Sequence, residues 1–347
     1  MEKYESLRVG ILSTGRMACV MADAINKMVN ITLEAVGSRS LEKAESFAEK
    51  YGIKKAYGSY EGLLSDPDVD IIYIATPHSH HAEFTKLCLD YGKPVLCEKS
   101  FTVNKGEAEE LCRLSKEKGI LLAEAIWVRY MPLAKELRAI VHDGSIGEIC
   151  SATCNLCYNT LSNPRVVLPE YAGGALLDVG IYCITFLSII FGDDVKIENA
   201  FMTRTETGVD AEDHVLLTYM DKVPEATADG AETGECTGKP VTAEFYSSIT
   251  GPSDRRGIIY GTKGYIEAGN VNNYEYVEVY DNSHKLIKRI NRPDQPGTGY
   301  EYQFEACRKA LNEGKTECED MPHEEIIKMM GLMDEIRKKM GLSYPME

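Results

Sequence analysis

The stretch Arg8-Val9-Gly10-Ile11-Leu12-Ser13-Thr14-Gly15-Arg16-Met17-Ala18 constrains the fold more than any other in the chain. A short apolar run, Arg8 to Leu12, passes straight into a glycine turn and then into a helical stretch that reaches about Met28. A strand feeding a helix through such a turn opens a βαβ unit. Its helix N-terminus offers unpaired N–H groups and the positive end of its dipole to an anion. The spacing fits the dinucleotide fingerprint G-x-G-x-x-G/A at two of three positions. Gly15 lets backbone approach a pyrophosphate and Ala18 lets helix pack on strand, while Ser13 replaces the first glycine. An ordinary tight turn is the alternative reading of the same residues.

The pattern that follows favours the first reading. Thr32 to Gly37 is a second strand, Leu41 to Tyr51 a helix, and Asp70 to Ala75 (DIIYIA) an apolar run suited to a central parallel strand buried on both faces. Ala82 to Tyr91 is helical and stops at Gly92, and Pro94 to Cys97 is a strand. Asn104 caps the next helix with Glu107 as its capping-box partner; Gly119 ends it, and Ile120 to Ala123 is a further strand. Strands alternating with helices predict a doubly wound parallel Rossmann sheet, α/β in class, over residues 1–125.

Beyond Ala125 the character changes. Helices are expected at Pro132–His142 and Gly174–Phe191, and a strand at Glu148–Tyr158. Short strands follow at Val215–Tyr219, Val241–Ser247, Gly257–Tyr260, Tyr265–Glu267, Val277–Tyr280 and Lys285–Ile290, spaced as an antiparallel meander. Glu225 to Lys239 reads as a mobile hairpin loop, and helices at Tyr300–Asn312 and His323–Met340 close the chain. Residues 126–347 are therefore expected to form an α+β substrate-binding and oligomerisation domain on a large, mostly antiparallel open sheet. A sheet face left uncovered by helices needs a partner, which predicts a homodimer or higher homo-oligomer.

Composition narrows the function. The net charge of −16 and the lack of clustered Lys and Arg oppose a nucleic-acid role. Gly174 to Phe191 is apolar but interrupted by Asp178 and Gly180, which reads as a core helix and opposes a membrane span. Eleven Cys spread over the chain behind a charged N-terminus suit reduced thiols in a cytoplasm. Cys150, Cys154 and Cys157 approach a zinc pattern, but a strand there turns Cys154 and Cys157 to opposite faces, so no metal site is expected.

Three places carry chemistry. The second strand ends at Gly37-Ser38-Arg39-Ser40, with no acid between Ala35 and Leu41 to accept from ribose hydroxyls. Arg39 with its flanking serines suits an adenosine 2′-phosphate, which favours NADP(H) over NAD(H), with NAD(H) still possible. Cys97-Glu98-Lys99 lies at the C-terminal end of a parallel strand, where open α/β sheets place ligands. Asp178 and Tyr182 stand at i and i+4 inside an apolar helix, so one face presents an acid and a phenol together. A helix with a satisfied internal hydrogen bond is the alternative.

VGILSTGRMA, ATPHSHHAEFTKLCLDYGKPVLCEKS, AEAIWVRYMP, GGALLDVGIYCITF, RTETGVD and IIYGTKGYIE together give the chain a second identity. It resembles the Gfo/Idh/MocA oxidoreductase family over nearly its whole length, most of all the dimeric dihydrodiol dehydrogenase branch, also described as NADP-dependent D-xylose dehydrogenase. In that branch Ser commonly holds the first fingerprint position. The resemblance makes Lys99 the lysine of a Glu-Lys-Pro motif, Tyr182 the acid or base, and Asp178 the helix acid. It places Trp127 and Arg129 at the nicotinamide and substrate end, and Thr76, Pro77 and His78 under the cofactor. Ser13, Thr14, Gly15, Arg16, Met17, Ser38, Arg39, His81 and Glu98 complete the cofactor set it implies, and Arg204 reaches the substrate. Members acting on inositol carry a His where Tyr182 stands, which argues against that substrate. Ser100 replaces the motif proline, so a trans Lys99–Ser100 bond is expected, since a non-proline cis bond costs ~2.5–4 kcal/mol.

The reaction so implied is reversible hydride transfer between a nicotinamide and a carbinol carbon of a sugar or cyclic diol. Tyr182 moves the hydroxyl proton, Lys99 favours its phenolate, and Asp178 orients the pair or holds substrate hydroxyls. Two other readings stay open: a reductase of a sugar-derived ketone, and a non-catalytic NADP-binding redox regulator.

Overall fold

The computed structural model describes residues 3–220, 239–293 and 297–347. Its first layer runs β1 (Leu7–Leu12), α1 (Arg16–Ile25), β2 (Ile31–Gly37), α2 (Leu41–Tyr51), β3 (Lys55–Tyr57), α3 (Tyr60–Leu64), β4 (Ile71–Ile74), α4 (His81–Asp90), β5 (Val95–Glu98), α5 (Lys105–Lys118) and β6 (Leu122–Ala125). The six strands pair in parallel in the order β3-β2-β1-β4-β5-β6. Strand order reverses between β1 and β4, and the crevice beyond their C-terminal ends is where such sheets take ligands. β4, β5 and β6 are buried along their whole length, as strands covered on both faces must be. The sequence pattern did not announce β3 and α3. Lys55–Tyr57 is a short edge strand of half-buried residues, and Tyr60–Leu64 is barely more than one turn. At α5 the cap forms as expected, Asn104 Oδ1 accepting from the Glu107 amide at 3.0 Å. The Glu107 carboxylate, though, reaches past Asn104 to the Val103 amide, also at 3.0 Å.

The second layer begins with α6 (Pro132–Val141), β7 (Ile149–Cys157) and α7 (Pro164–Val167). Next comes a wide π-helical turn, Leu176–Gly180, continuing directly into α8 (Ile181–Phe191). The remaining strands are β8 (Val195–Arg204), β9 (Asp210–Met220), β10 (Pro240–Ser248), β11 (Gly257–Gly261), β12 (Gly264–Gly269), β13 (Tyr276–Asp281) and β14 (Leu286–Asn291). They form one sheet ordered β14-β13-β12-β11-β7-β10-β9-β8. The expected single meander is really two, β8 to β10 and β11 to β14. β7 is laid between them, antiparallel to β11 and parallel to β10. Hairpin signals are local, so they show each meander but not the earlier strand inserted between them. The expected loop Glu225–Lys239 lies, apart from Lys239, outside the described residues.

The segment Pro169–Phe191 is long and apolar enough to cross a membrane, yet its most apolar 18-residue stretch is wholly buried inside the protein. It runs under the second sheet, where the Phe186 ring occupies the space a side chain at Gly257 would need. Two helices, α9 (Glu301–Asn312) and α10 (His323–Met340), end the chain. They return to the first sheet: Phe304 meets Tyr73 with ring centroids 5.9 Å apart, and Asn312 Oδ1 accepts from the Tyr4 amide at 2.8 Å. The Leu122 amide donates to the Thr316 carbonyl at 3.0 Å, and His323 Nε2 bonds the Leu122 carbonyl at 2.9 Å. Strands of the first sheet thus lie within residues 7–125 and those of the second within 149–291, while α9 covers the first sheet from the far end of the sequence.

Candidate active site

The phosphate loop leaves β1 at Ser13, whose φ of +102° is one that L residues other than glycine seldom adopt. Its hydroxyl accepts from the Gly15 amide at 3.3 Å and its own amide bonds the Gly37 carbonyl at 2.9 Å, tying the turn to the end of β2. Gly15 caps α1 without any side-chain hydrogen bond, and no acid stands in the first turn, so the helix dipole faces the crevice uncompensated. An open cleft of about 760 Å³ runs from Ser13, Thr14 and Gly15 to Ser38, Arg39, Ser40 and Lys43. The Ser38 hydroxyl accepts from the Ser40 amide, and the Ser40 hydroxyl caps α2 through the Lys43 amide. Arg16 and Arg39 are exposed, and Met17 is half-buried. An uncapped helix N-terminus followed by a basic, hydroxyl-lined cleft fits a dinucleotide.

At the other end of the crevice the structure gathers Lys99, Asp178, Tyr182 and Trp127. Lys99 Nζ donates to the Asp178 carbonyl at 2.5 Å, lies 3.7 Å from its Oδ1, and sits 4.8 Å from the centroid of the Tyr182 ring. Trp127 Nε1 donates to the Tyr182 hydroxyl at 3.0 Å, and the indole stacks on Tyr300 at 4.1 Å. Arg165, which the sequence did not single out, holds Asp178 Oδ1 at 2.8 Å. Burial alone would raise the Asp178 pKa, but Lys99 and Arg165 overcome it and hold the carboxyl well below the ordinary range. Burial lowers Lys99 against the pull of Asp178. Burial also pushes the Tyr182 phenol well above its ordinary value. Lys99 therefore does not make Tyr182 a phenolate here, as its sequence position suggested: the ammonium meets the ring face and not the oxygen.

The loop expected under the cofactor is built from Thr76, Pro77, His78 and His81. His81 is fully buried between the Ser100 carbonyl (Nδ1, 2.8 Å) and the Thr76 carbonyl (Nε2, 2.9 Å), and burial lowers its pKa to about 4. His78 Nδ1 bonds the Ala172 carbonyl at 3.0 Å. Glu98 is buried and accepts from the Tyr73 hydroxyl, and its pKa is raised by that burial. The Lys99–Ser100 bond is cis, contrary to expectation. Ser100 is fully buried, its hydroxyl donating to the Leu177 carbonyl at 2.8 Å and its carbonyl held by His81, so tertiary contacts override the local preference.

Two expected residues lie elsewhere. Arg129 turns away to Glu325 (2.8 Å), Ser188 (3.2 Å) and the Asp320 carbonyl (3.1 Å), which anchors α10. Arg204, exposed on β8, spends its guanidinium on the carbonyls of Gly208 and Gly341. Tyr300 and Arg165 were missed for a common reason. Each sits in a loop or at a helix entry with no periodic signal, and only the fold brings it to the site.

Residues 7–125 match the family described as "Oxidoreductase family, NAD-binding Rossmann fold", and residues 134–267 match the GFO/IDH/MocA C-terminal domain. The chain belongs to the Gfo/Idh/MocA oxidoreductase family. It is an NAD(P)-dependent oxidoreductase acting on CH–OH groups. Among its relatives are the trans-1,2-dihydrobenzene-1,2-diol dehydrogenases of Macaca fuscata fuscata, 34% identical, and of Homo sapiens, 33% identical, each alignment covering 99% of both chains. Among solved structures, a 3-ketoreductase from Actinomadura kijaniata in complex with NADP shares the fold at a TM-score of 0.79 and 23% identity, over 96% of this chain and 98% of that one. An aldose-aldose oxidoreductase from Caulobacter crescentus does so at 0.80 and 22%, over 96% and 97%.

Proposed function

We propose that this oxidoreductase prefers NADP(H) and interconverts a carbinol and a carbonyl on a sugar or cyclic diol. The observation that carries the chemistry is the meeting of Lys99, Asp178 and Tyr182 in one buried cluster at the end of β5. When bound, the nicotinamide supplies or takes the hydride. Tyr182, held protonated by its burial, donates to the carbonyl oxygen in reduction; in oxidation the phenol first gives its proton to solvent, and the phenolate then takes the hydroxyl proton. Lys99 places a positive charge where negative charge grows on that oxygen. Asp178, kept ionised by Lys99 and Arg165, accepts from a neighbouring substrate hydroxyl. Trp127 and Tyr300 form an apolar wall that excludes water. The dihydrodiol dehydrogenases and the aldose-aldose oxidoreductase among its relatives support a polyol or cyclic diol substrate.

NADP preference rests on Arg39 and Lys43 beside Ser38 and Ser40, where an NAD site usually carries an acid. A screen of sugars and trans-diols with NADP+ and NAD+, followed by the absorbance of the reduced nicotinamide, tests the whole reading. No turnover of any polyol or diol, or NAD+ preference left unchanged by Arg39→Asp, sinks it.

A homodimer through the second sheet is part of the proposal. Its outer face carries a stacked run, Phe201 on His214 at 4.7 Å and His214 on Tyr246 at 4.6 Å, along a groove of about 780 Å³. Phe201 is 55% exposed, and Leu216 and Tyr260 are each 38% exposed. A patch of this kind marks an association surface, and a monomer mass by light scattering at micromolar concentration would refute it. The ten described cysteines carry free thiols, which supports a cytoplasmic setting.

A further inference from the structure

Two carboxyl groups with no part in the chemistry lie directly behind the active-site helix. Asp210 opens β9 and Asp213 follows on the same strand, and neither has any solvent exposure. Asp210 Oδ2 accepts from the Leu176 amide at 2.6 Å. Asp210 thus caps, from across the sheet, the helical segment that carries Asp178 and runs on to Tyr182. Gly174 makes the approach feasible. At φ +121° it has no side chain, and a Cβ there would lie 1.9 Å from Asp210 Oδ1. Asp213 Oδ2 accepts from the Ser247 hydroxyl at 2.8 Å, and Ser247 Oγ lies 3.0 Å from where a Cβ on Gly180 would stand.

Each carboxyl keeps one oxygen, Oδ1, that no N–H or O–H in the described protein satisfies. The two carboxyls are near enough to act on each other electrostatically. Two ionised carboxylates in contact inside a core repel too strongly to persist, whereas a single shared proton satisfies both orphan oxygens at once. The negative charge belongs on Asp210, which faces a helix N-terminus, and the proton on Asp213. Burial raises the pKa of both groups.

We propose that Asp210 and Asp213 form a carboxylate–carboxylic acid clamp, joined by one proton, that sets the register of the helix bearing Asp178 and Tyr182. Both are positioning residues. The clamp rests on the proposed function only in using Tyr182 as the acid. Tyr344 completes it from the C-terminal side, its hydroxyl donating to the Gly173 carbonyl at 2.7 Å. The charged and titratable groups bearing on the pair are Cys183 from α8, and Tyr344 with Arg337 and Glu347 around it.

The test compares Asp213→Asn with Asp213→Leu. The carboxamide keeps a donor toward Asp210 and an acceptor for Ser247, so Asp213→Asn is expected to keep parental kcat, KM and NADPH affinity. Asp213→Leu leaves Asp210 unsupported and is expected to lower kcat on the order of a hundredfold, the scale set by misplacing a catalytic group by about 1 Å. NADPH affinity, read by fluorescence titration, should stay unchanged because the phosphate loop lies on the other sheet. A second readout needs no turnover. The infrared difference between parent and Asp213→Asn at neutral pH should show the carbonyl stretch of a protonated carboxylic acid, present only in the parent. Absence of that band overturns the clamp even if Asp213→Leu fails to fold, as does equal loss of kcat in both variants. If the parent turns over no polyol but the band is present, the proposed function fails and the clamp stands.

Discussion

Lys99 approaches Tyr182 at the ring face, 4.8 Å from the centroid, while the Tyr182 hydroxyl accepts from Trp127 at 3.0 Å. The phenol therefore stays an acid, and in the proposed reaction its proton is the one delivered in reduction. Tyr182→Phe keeps the ring under Lys99 and removes the hydroxyl, with its proton and its bond from Trp127. It should lower kcat by about 10²–10⁴-fold with NADPH affinity unchanged. Steady-state kinetics beside a fluorescence titration checks this, and full turnover in the variant would remove Tyr182 from the reaction.

Arg165 joins Lys99 in keeping Asp178 ionised against its burial. A carboxyl whose folded pKa is depressed stabilises the fold above its unfolded value and loses that contribution as pH falls through the folded one. Arg165→Gln leaves Lys99 as the main charge opposing burial, so the Asp178 pKa rises. The acid limb of the kcat/KM profile should move to higher pH, and acid unfolding should begin earlier. A profile superimposable on the parent's would show that Arg165 does not control Asp178.

At the phosphate loop, Ser13 holds φ +102° with a side chain attached. Such a conformation costs a non-glycine residue about 1–3 kcal/mol, partly offset in Ser13→Gly by the extra freedom glycine has when unfolded. The substitution also frees the Gly15 amide from the Ser13 hydroxyl. It should raise the melting temperature of the apoprotein and leave NADPH binding intact or tighter. A lower melting temperature would mean that the hydroxyl bond outweighs the strain.

Glu124 is buried in β6, accepts from the Phe101 amide at 3.1 Å, and is pushed by burial up to about 8. The folded protein therefore holds a proton there that the unfolded chain releases at ordinary glutamate pH. Stability should fall as pH rises from that range to about 8 and level off above it. Glu124→Gln is expected to melt higher than the parent at pH 9 and to flatten the slope, as calorimetry across pH would show.

Much of this was legible in the residues themselves. The first sheet announces itself because apolar runs of strand length alternate with capped helices, and Asn104, Gly92 and Gly119 mark ends that depend only on neighbours in sequence. Asp178 and Tyr182 were visible as polar groups where burial makes polarity costly, and Lys99 by its place at the C-terminal end of a parallel strand. Arg165, Tyr300 and the Asp210–Asp213 pair were not, because each acquires meaning only from a residue far along the chain. Arg129 and Arg204 misled for the same reason, since a guanidinium in a suggestive position says nothing of which carbonyl or carboxylate will claim it. The parallel pairing of β7 with β10 was equally hidden, being a property of topology and not of either strand.

The return of α9 to the first sheet sets the order in which the protein is completed during synthesis. Phe304 packs on Tyr73, and Asn312 ties down Tyr4, so the face of the first sheet between them stays open until the chain beyond residue 312 has emerged. Domains tend to fold as they leave the ribosome, N-terminal first. Here the nucleotide-binding half is made first yet must wait for the last helices to close over it. A fragment ending at Ala125 should aggregate, while the same fragment supplied with the 300–347 segment should stay in solution.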